Sequence, residues 1–283
     1  MYPELQGKVA VITGSGRRGG LGAAIARRLA SEGARIVLHD LGRTQGDVAP
    51  AHGVGQIDEM QAIADEIRSL GADATVFAGD MRVECEVEAL MAHATATFGR
   101  LDILINNAGV GYLFGPLLDT TEERWQTVLG VNLTGAFFAL KHAARQMTRQ
   151  EPHAGWGRGR IVSVASKAAK SASLYTGVYV TSKHGLIGLT RAGAVELGPQ
   201  GITVNAVCPN HVTTGLGAWQ NDFMAGKRGL SVDDYLAAMR GRIPLGRVGL
   251  TEDTAKACAF LCSAQAVYIT GEAMNVSGGE ENH

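Results

Sequence analysis

Short apolar runs alternate with longer stretches of helical periodicity along this chain of 283 residues. The runs place valine, isoleucine and leucine on consecutive positions, which is typical of strands buried on both faces of a sheet. They predict strands at residues 9–13, 34–40, 74–80, 101–105, 160–165, 203–207 and 273–276. The periodic stretches predict helices at residues 23–30, 58–70, 83–98, 121–149 and 252–263, and one more that begins near Tyr179.

This alternation of strands and helices predicts an α/β fold. We expect a doubly wound parallel sheet of the Rossmann type, with helices on both faces in three α/β/α layers. The pattern continues without an interdomain linker, so we expect a single domain over residues 1–283. In such a sheet a ligand lies over the carboxyl ends of the strands.

Two segments depart from the regular pattern. Residues 41–57 are rich in Gly, Asp, Gln and Pro and are long for a strand-to-helix connection, which predicts a surface excursion. Residues from about 210 to 245 lack a strand pattern and carry aromatic side chains among glycines and charges. They fit a mobile substrate lid, and small helices packed on the core are the alternative.

Composition excludes several classes of function. Twenty-six basic and 27 acidic residues give a net charge of -1, which leaves no electrostatic footprint for nucleic acid or an anionic membrane. The start of the chain lacks the pattern of a secretory signal, and no segment reaches the ~18 apolar residues that a membrane span needs. The four cysteines lack C-x-x-C spacing, so we expect no metal site and a reducing, cytoplasmic location.

Tyr179 and Lys183 are separated by one helical turn and therefore leave the same face of a helix. Lowering a phenol pKa by about 3 units takes roughly 4 kcal/mol, and one cation about 4 to 5 Å away can supply most of it. The pair is therefore a candidate proton-transfer group. Because the spacing also arises by chance, its significance depends on the rest of the chain.

A cluster of glycines between residues 14 and 22 separates the first predicted strand from the first helix. This order suits a dinucleotide, because bare backbone approaches the pyrophosphate while a helix N-terminus faces its charge. Asp40, at the end of the second strand, would bond the adenosine ribose hydroxyls and repel a 2'-phosphate, which favours NAD. Arg17 and Arg18 argue for NADP, since either could pair with that phosphate.

The chain resembles the short-chain dehydrogenase/reductase family over essentially its whole length. Residues 13–22 resemble the family's TGxxxGxG cofactor loop, residues 106–109 its NNAG motif, and Ser166 with Tyr179 and Lys183 its catalytic serine and YxxxK. The resemblance implies a nicotinamide-dependent oxidoreductase that acts on a secondary alcohol or ketone as its small-molecule substrate. It also implies a homotetramer, with the helices near 121–149 and 178–198 between subunits.

The resemblance assigns roles residue by residue. The catalytic group would comprise Asn132, Ser166, Tyr179 and Lys183. Tyr179 would exchange the proton, Ser166 would hold the substrate oxygen, Lys183 would lower the phenol pKa and bind the nicotinamide ribose, and Asn132 would position a water. The remaining cofactor contacts would be Gly14, Arg17, Gly20, Leu21, Gly22, Asp40, Asp80, Met81, Asn107, Ala108, Gly109, Val212 and Thr214.

Two positions depart from the family pattern. Five residues separate Gly14 from Gly20 where the family has three, so the basic position of the family cannot be transferred to Arg17 or Arg18. Asn210 replaces the glycine of the family's Pro-Gly pair, and we expect it to adopt the left-handed backbone in its place.

Three readings of function follow. The first hypothesis is an enzyme that transfers a hydride. The second is a nucleotide-binding sensor or scaffold without catalytic activity, which the presence of all four catalytic residues disfavours. The third is an epimerase or dehydratase, which the length of the chain disfavours. The substrate itself is not specified. Candidate pocket residues are mostly aromatic and suggest an apolar or ring-bearing substrate: Tyr175, His211, Trp219 and Phe223.

Overall fold

A computed structural model describes residues 1–43 and 54–282 of the chain. Most of the predicted surface excursion at 41–57 lies outside these residues. The described residues contain a seven-stranded sheet in the order β3-β2-β1-β4-β5-β6-β7. Its strands are β1 Val9–Thr13, β2 Arg35–Asp40, β3 Ala74–Ala78, β4 Ile103–Asn106, β5 Gly159–Val164, β6 Ile202–Pro209 and β7 Ala273–Val276.

Every pair of neighbouring strands is parallel, with β1 between β2 and β4. Val11 at the centre of β1 is aligned with Val37 of β2 on one side and Leu104 of β4 on the other. The strand order reverses at this point, so the carboxyl ends of β1 and β4 border the crevice where open α/β sheets bind ligands.

Helices cover both faces of the sheet. They are α1 Leu21–Ala30, α2 Ile57–Ser69, α3 Glu84–Phe98, α4 Glu122–Leu129, α5 Ala136–Thr148, α6 Gly177–Leu197, α7 Gly215–Arg228, α8 Val232–Arg242 and α9 Thr251–Cys262. One apolar core joins α1, α2 and α9 to the sheet, and a second joins α3, α5 and α6 to its other face. The predicted three-layer doubly wound fold is therefore confirmed.

The structure refines two of the predicted helical regions. The stretch predicted as one helix over 121–149 is divided by a π-helical turn, Gly130–Gly135, between α4 and α5. The segment predicted as a lid forms α7 and α8, which pack on each other through a small apolar cluster that includes Met224, Tyr235 and Met239. No helix of the described ranges has both the length and the apolar content to cross a bilayer.

The prediction for Asn210 is wrong. Tyr175, with φ of 68°, is the non-glycine residue with a positive φ among those described, and Asn210 is not left-handed. The cause is a set of tertiary hydrogen bonds: the Asn210 backbone N–H donates to the Val276 carbonyl at 3.1 Å, and its side-chain amide donates to the Ser277 carbonyl at 3.2 Å. These bonds fix the backbone and side chain of Asn210 to the segment that follows β7.

Candidate active site

A cleft of about 270 Å³ lies at the carboxyl ends of the strands, beside the switch between β1 and β4. Most of the predicted site residues line it, namely Gly14, Arg17, Gly20, Leu21, Asp40, Asp80, Met81, Asn107, Ala108, Gly109, Tyr179, Lys183 and Thr214. The lining does not include the others predicted for the site, Gly22, Asn132, Ser166 and Val212. The fold thus brings residues from distant parts of the sequence to one edge of the sheet.

The glycine loop is packed too tightly for side chains at several positions, among them Gly14 and Gly22. Gly14 has φ of 65°, and a Cβ on it would lie 2.7 Å from the Ala108 Cα. A Cβ on Gly22 would lie 2.7 Å from the Asn107 amide nitrogen. Gly20 precedes α1 without a side-chain cap, so the first N–H groups of the helix face the cleft without an intrahelical acceptor. This bare, positively polarised cradle fits a pyrophosphate.

Gly22 and Gly19 of this loop differ in the space available for a side chain, so their alanine variants form a matched pair. Gly22→Ala should destabilise the fold by about 1 to 3 kcal/mol, because its Cβ has no room, and should weaken nicotinamide-dinucleotide binding at least tenfold. Gly19→Ala should change neither quantity measurably, since nothing lies within 4 Å of its Cβ position. Thermal unfolding and fluorescence titration with the dinucleotide measure both; equal effects of the two variants would contradict the assigned packing.

Asp40 is held by the backbone around it. Its Oδ2 accepts a hydrogen bond from the Gly16 N–H at 3.0 Å, and its Oδ1 accepts one from the Leu41 N–H at 2.8 Å. Burial raises the pKa of the Asp40 carboxyl above its ordinary value, against the lowering effect of these bonds and of the Arg17 charge. The Arg17 guanidinium itself extends toward the start of α7, where a Cβ on Gly215 would lie 2.6 Å from its Nη2.

Asp80 and Met81 follow β3, the strand paired with β2 in the sheet. The Asp80 carboxylate accepts hydrogen bonds from the Arg82 guanidinium at 2.7 to 3.1 Å, and this pair raises the pKa of Arg82. Met81 is buried against the π-helical turn, where a Cβ on Gly135 would lie 2.7 Å from the Met81 carbonyl. Asp80 is therefore oriented by a neighbouring cation.

Residues 106–109 fasten β4 to β1. Asn107 donates from its side-chain amide to the Thr13 and Gly14 carbonyls at 2.9 and 2.8 Å. The Thr13 hydroxyl in turn accepts from the backbone N–H groups of Asn107 and Ala108 at 3.0 Å each. These bonds explain why the motif needs Asn at 107, and they fix the floor of the cleft.

Tyr179, Ser166 and Lys183 meet at one end of the cleft. The Ser166 hydroxyl forms a hydrogen bond with the Tyr179 phenol, and it also accepts from the Ala168 N–H at 3.1 Å, which caps the turn after β5. The Lys183 ammonium donates to the Val164 carbonyl at 2.8 Å and lies 5.7 Å from the centroid of the Tyr179 ring. The serine and the phenol are therefore positioned to contact one substrate oxygen.

The protonation of this pair differs from the prediction. Burial raises the pKa of the Tyr179 phenol, and the hydrogen bond from Ser166 only partly offsets this effect. Burial also lowers the pKa of Lys183 to about 8. The predicted lowering of the phenol pKa by Lys183 is therefore not produced by the side chains alone, because desolvation of the buried phenol dominates its pKa.

Asn132 lies in the π-helical turn and is 1% exposed. Its Oδ1 accepts from the Val110 N–H at 2.7 Å, and its Nδ2 donates to the Val110 carbonyl and the Ser182 hydroxyl at 3.0 Å each. The buried amide is thus paired on both sides, as its burial requires. It joins the loop after β4 to α6, the helix that carries Tyr179 and Lys183.

Four aromatic side chains form one cluster that contacts the Tyr179 ring through Phe114, and we call Phe114, Tyr175, Trp219 and Phe223 the aromatic roof. Phe114 lies edge-on to Tyr179, with centroids 5.9 Å apart, and to Trp219 at 5.7 Å. Trp219 and Phe223 of α7 are stacked at 5.3 Å, and Phe223 also contacts Tyr175 at 6.2 Å. An apolar surface therefore faces the reactive phenol.

Sequence reasoning missed Phe114 and Gln220. Phe114 follows the NNAG motif in a loop without periodicity, so only its nearness in sequence to residues 106–109 signals it. Gln220 of α7 donates from its Nε2 to the Gly111 carbonyl at 3.0 Å, which holds the roof over the cleft. His211, predicted as a pocket residue, is not one of the four roof residues; burial lowers the pKa of its imidazole, and the Glu280 carboxylate opposes that effect.

Known proteins similar to this chain share its fold and length. The family described as enoyl-(acyl carrier protein) reductase matches residues 14–281. A short-chain dehydrogenase/reductase of Armillaria gallica is 35% identical, with 97% of this chain and 96% of its own covered. A D-beta-hydroxybutyrate dehydrogenase of Rhizobium meliloti is 34% identical, with 96% of this chain and 98% of its own covered. A solved structure of NAD+-bound xylitol dehydrogenase has a TM-score of 0.85 at 31% identity, over 98% of this chain and all of that one.

The chain therefore belongs to the short-chain dehydrogenase/reductase family. It is an oxidoreductase of the kind that uses a nicotinamide cofactor.

Proposed function

We propose that this protein transfers a hydride between NAD and a secondary alcohol or ketone with an apolar, ring-bearing body. The observation that carries the proposal is the hydrogen-bonded Ser166 and Tyr179 pair at the end of the cleft, with Lys183 beside it and the aromatic roof above it. The glycine cradle supports a dinucleotide at the other end. The proposal thus assigns the two ends of one cleft to cofactor and substrate.

The cofactor would lie along the cleft from Asp40 to Tyr179. The N–H groups at the start of α1 would bind its pyrophosphate, Asp40 its adenosine ribose, and Asp80 with Met81 its adenine. Lys183 would bind the nicotinamide ribose, with Val212 and Thr214 near the amide. When bound, the nicotinamide ring supplies the hydride acceptor or donor.

The side chains of this chain would handle the proton. Ser166 would hold the substrate oxygen by a hydrogen bond, and Tyr179 would take the hydroxyl proton in oxidation or return it in reduction. Because burial alone raises the phenol pKa, the phenol gives up its proton to form the phenolate base only with help from nearby positive charge. Lys183 supplies such charge below its pKa of about 8. Asn132 holds α6 in place, so that the phenol and ammonium keep their relative position.

The choice of NAD over NADP is supported by the environment of Asp40. Backbone N–H groups fix its carboxylate at the end of β2, where it would meet the 2'-position of the adenosine ribose. The Arg17 guanidinium extends toward the start of α7, and its charge also acts on Asp40, whose pKa it lowers. A structural relative, xylitol dehydrogenase, binds NAD+.

The aromatic roof supports the substrate class. An apolar surface favours a ring or hydrocarbon body and leaves the hydroxyls of a polyol without partners, which costs free energy when they are buried. We also propose that α7 and α8 act as the substrate lid. Gln220 and two roof residues belong to α7, so movement of that helix would open the space above Tyr179.

A cofactor and substrate panel tests this function. The wild type should reduce NAD with secondary alcohols that carry an aromatic or alicyclic ring, and kcat/KM should exceed that for xylitol at least tenfold. NADP should be used at least tenfold less efficiently, because the fixed Asp40 carboxylate repels a 2'-phosphate. Absorbance of the reduced nicotinamide measures both. Binding of NAD without turnover on any alcohol would favour the sensor or scaffold instead, and a preference for xylitol would remove the proposed substrate class.

A further inference from the structure

Asn210, which departs from the family pattern, directs attention to a buried carboxylate outside the proposed reaction. Its side-chain amide donates to the Glu280 Oε2 at 2.6 Å, in addition to the Ser277 carbonyl. The Glu280 side chain is only 11% exposed. Asn210 leads from β6 into the segment that contains Val212 and Thr214, so Glu280 contacts the proposed cofactor wall from behind.

Two cations from other parts of the site reach the same carboxylate. The Lys167 ammonium lies 2.9 Å from the Glu280 Oε1, and the Arg242 Nε lies 3.3 Å from that same oxygen. Lys167 directly follows Ser166, and Arg242 is the last residue of α8. One carboxylate therefore joins the catalytic-serine turn, the segment after β6 and the end of the proposed lid.

The neighbouring residue strengthens this connection. The Ser171 hydroxyl donates to the Glu281 Oε2 at 2.8 Å, and the Glu281 N–H donates to the Ser277 hydroxyl at 3.3 Å. Burial by itself raises the pKa of Glu280, but the hydrogen bonds from Lys167 and Asn210 outweigh it and hold the pKa below its ordinary value. Glu280 is thus charged at neutral pH.

We propose that Glu280 is a positioning residue that couples the turn after Ser166 to the end of lid helix α8. The physical basis is that Lys167 and Arg242 are like charges that share one carboxylate oxygen. When that oxygen is anionic it holds the two segments together, and when it is neutral the two cations repel each other. The position of the lid and the position of the serine therefore depend on one charge. The kinetic consequence rests on the proposed function, whereas the coupling of the two segments does not.

Hydrogen–deuterium exchange tests the coupling without turnover. Glu280→Gln keeps the size of the side chain and removes its charge, so amide exchange should rise roughly fivefold both in residues 167–171 and near Arg242. Asp102→Asn is the matched control: Asp102 is also a buried carboxylate, bonded to Arg100 and His153, but it lies at the opposite end of the sheet. That variant should lower the melting temperature and leave both segments unchanged relative to the rest of the chain.

A second variant makes the test independent of whether Glu280→Gln folds. Lys167→Met removes one cation and leaves Glu280 bonded to Arg242 and Asn210, so it should change exchange at the end of α8, the distant segment. In the Glu280→Gln background, where Lys167 and Arg242 repel each other, the same change should instead lower exchange at α8 relative to Glu280→Gln alone. Exchange at α8 that is unaffected by Lys167→Met, or affected equally in both backgrounds, overturns the proposal.

The kinetic readout separates positioning from general stability. Glu280→Gln should lower kcat for the alcohol roughly fivefold and leave the affinity for NAD unchanged, while Asp102→Asn should leave both unchanged below its melting temperature. A fall in NAD affinity with constant kcat would overturn the proposed effect on the serine. If the wild type turns over no alcohol, the proposed function fails while the exchange result still decides the coupling.

Discussion

Tyr179→Phe should reduce turnover at least a hundredfold with every alcohol that the wild type oxidises. The variant keeps the ring, its edge-on contact with Phe114 and its packing, and it removes only the hydroxyl that meets Ser166. General acid–base catalysis typically contributes 10²- to 10⁴-fold, and the phenol hydroxyl is the proton-transfer group that lies hydrogen-bonded to the Ser166 side chain. Initial rates of NAD reduction at saturating alcohol measure the ratio of wild-type to variant turnover.

Tyr268→Phe is the matched control for this variant, because Tyr268 is fully exposed. It should retain wild-type kcat and KM. The affinity of Tyr179→Phe for NAD should fall by less than about threefold, since the proposed role of the phenol is in the chemical step. Near-wild-type turnover by Tyr179→Phe would refute the proposed mechanism, and loss of NAD affinity alone would assign the phenol to binding.

The fold could be predicted from sequence because its signals are local. Consecutive apolar residues such as those of β1, followed by glycines and then a helical pattern, identify a buried parallel strand and its crossover without knowledge of any distant residue. The π-helical turn escaped prediction because it continues the helical periodicity on both sides of Asn132, and only the hydrogen-bond pattern distinguishes it.

The site could be predicted from the sequence only where the spacing of two residues determines their relative position in the structure. Tyr179 and Lys183 lie on one helix, so their relative position follows from the helical turn. Their pKa values do not, since both depend on how deeply the tertiary fold buries them. Phe114 and Glu280 were missed for the related reason that their partners lie far away in sequence. Asn210 shows the limit most clearly, because its backbone is set by residues 276 and 277 rather than by its own conformational preference.

Lys183 places a functional cation where the fold would be more stable without it. The side chain is 4% exposed, and burial lowers its pKa from the ordinary 10.5 to about 8. At 1.36 kcal/mol for each pKa unit, keeping this ammonium charged at pH 7 costs about 3 kcal/mol of folding free energy. An apolar side chain at this position would leave the Val164 carbonyl without this hydrogen bond, which costs about 1 kcal/mol.

Lys183→Met should therefore raise the free energy of unfolding by roughly 2 kcal/mol at pH 7 while it lowers kcat at least a hundredfold. Methionine has a similar length and no charge, so it fills the same space without the desolvation penalty. Denaturant unfolding measures the first effect and NAD reduction the second. Lys256→Met, on the exposed face of α9, should change unfolding by no more than about 0.5 kcal/mol and should leave kcat unchanged.

The stability gain should depend on pH in a direction fixed by the lowered pKa. Below pH 8 the lysine is protonated in both folded and unfolded chains, so the wild type carries the full penalty. Between about 8 and 10.5 the folded chain releases its proton first, the unfolded chain binds more protons, and wild-type stability rises with pH relative to the variant. The difference between the two proteins should consequently be smaller at pH 9.5 than at pH 7. A difference that is constant across this range, or a variant less stable than the wild type at pH 7, would show that Lys183 is not held as a desolvated cation.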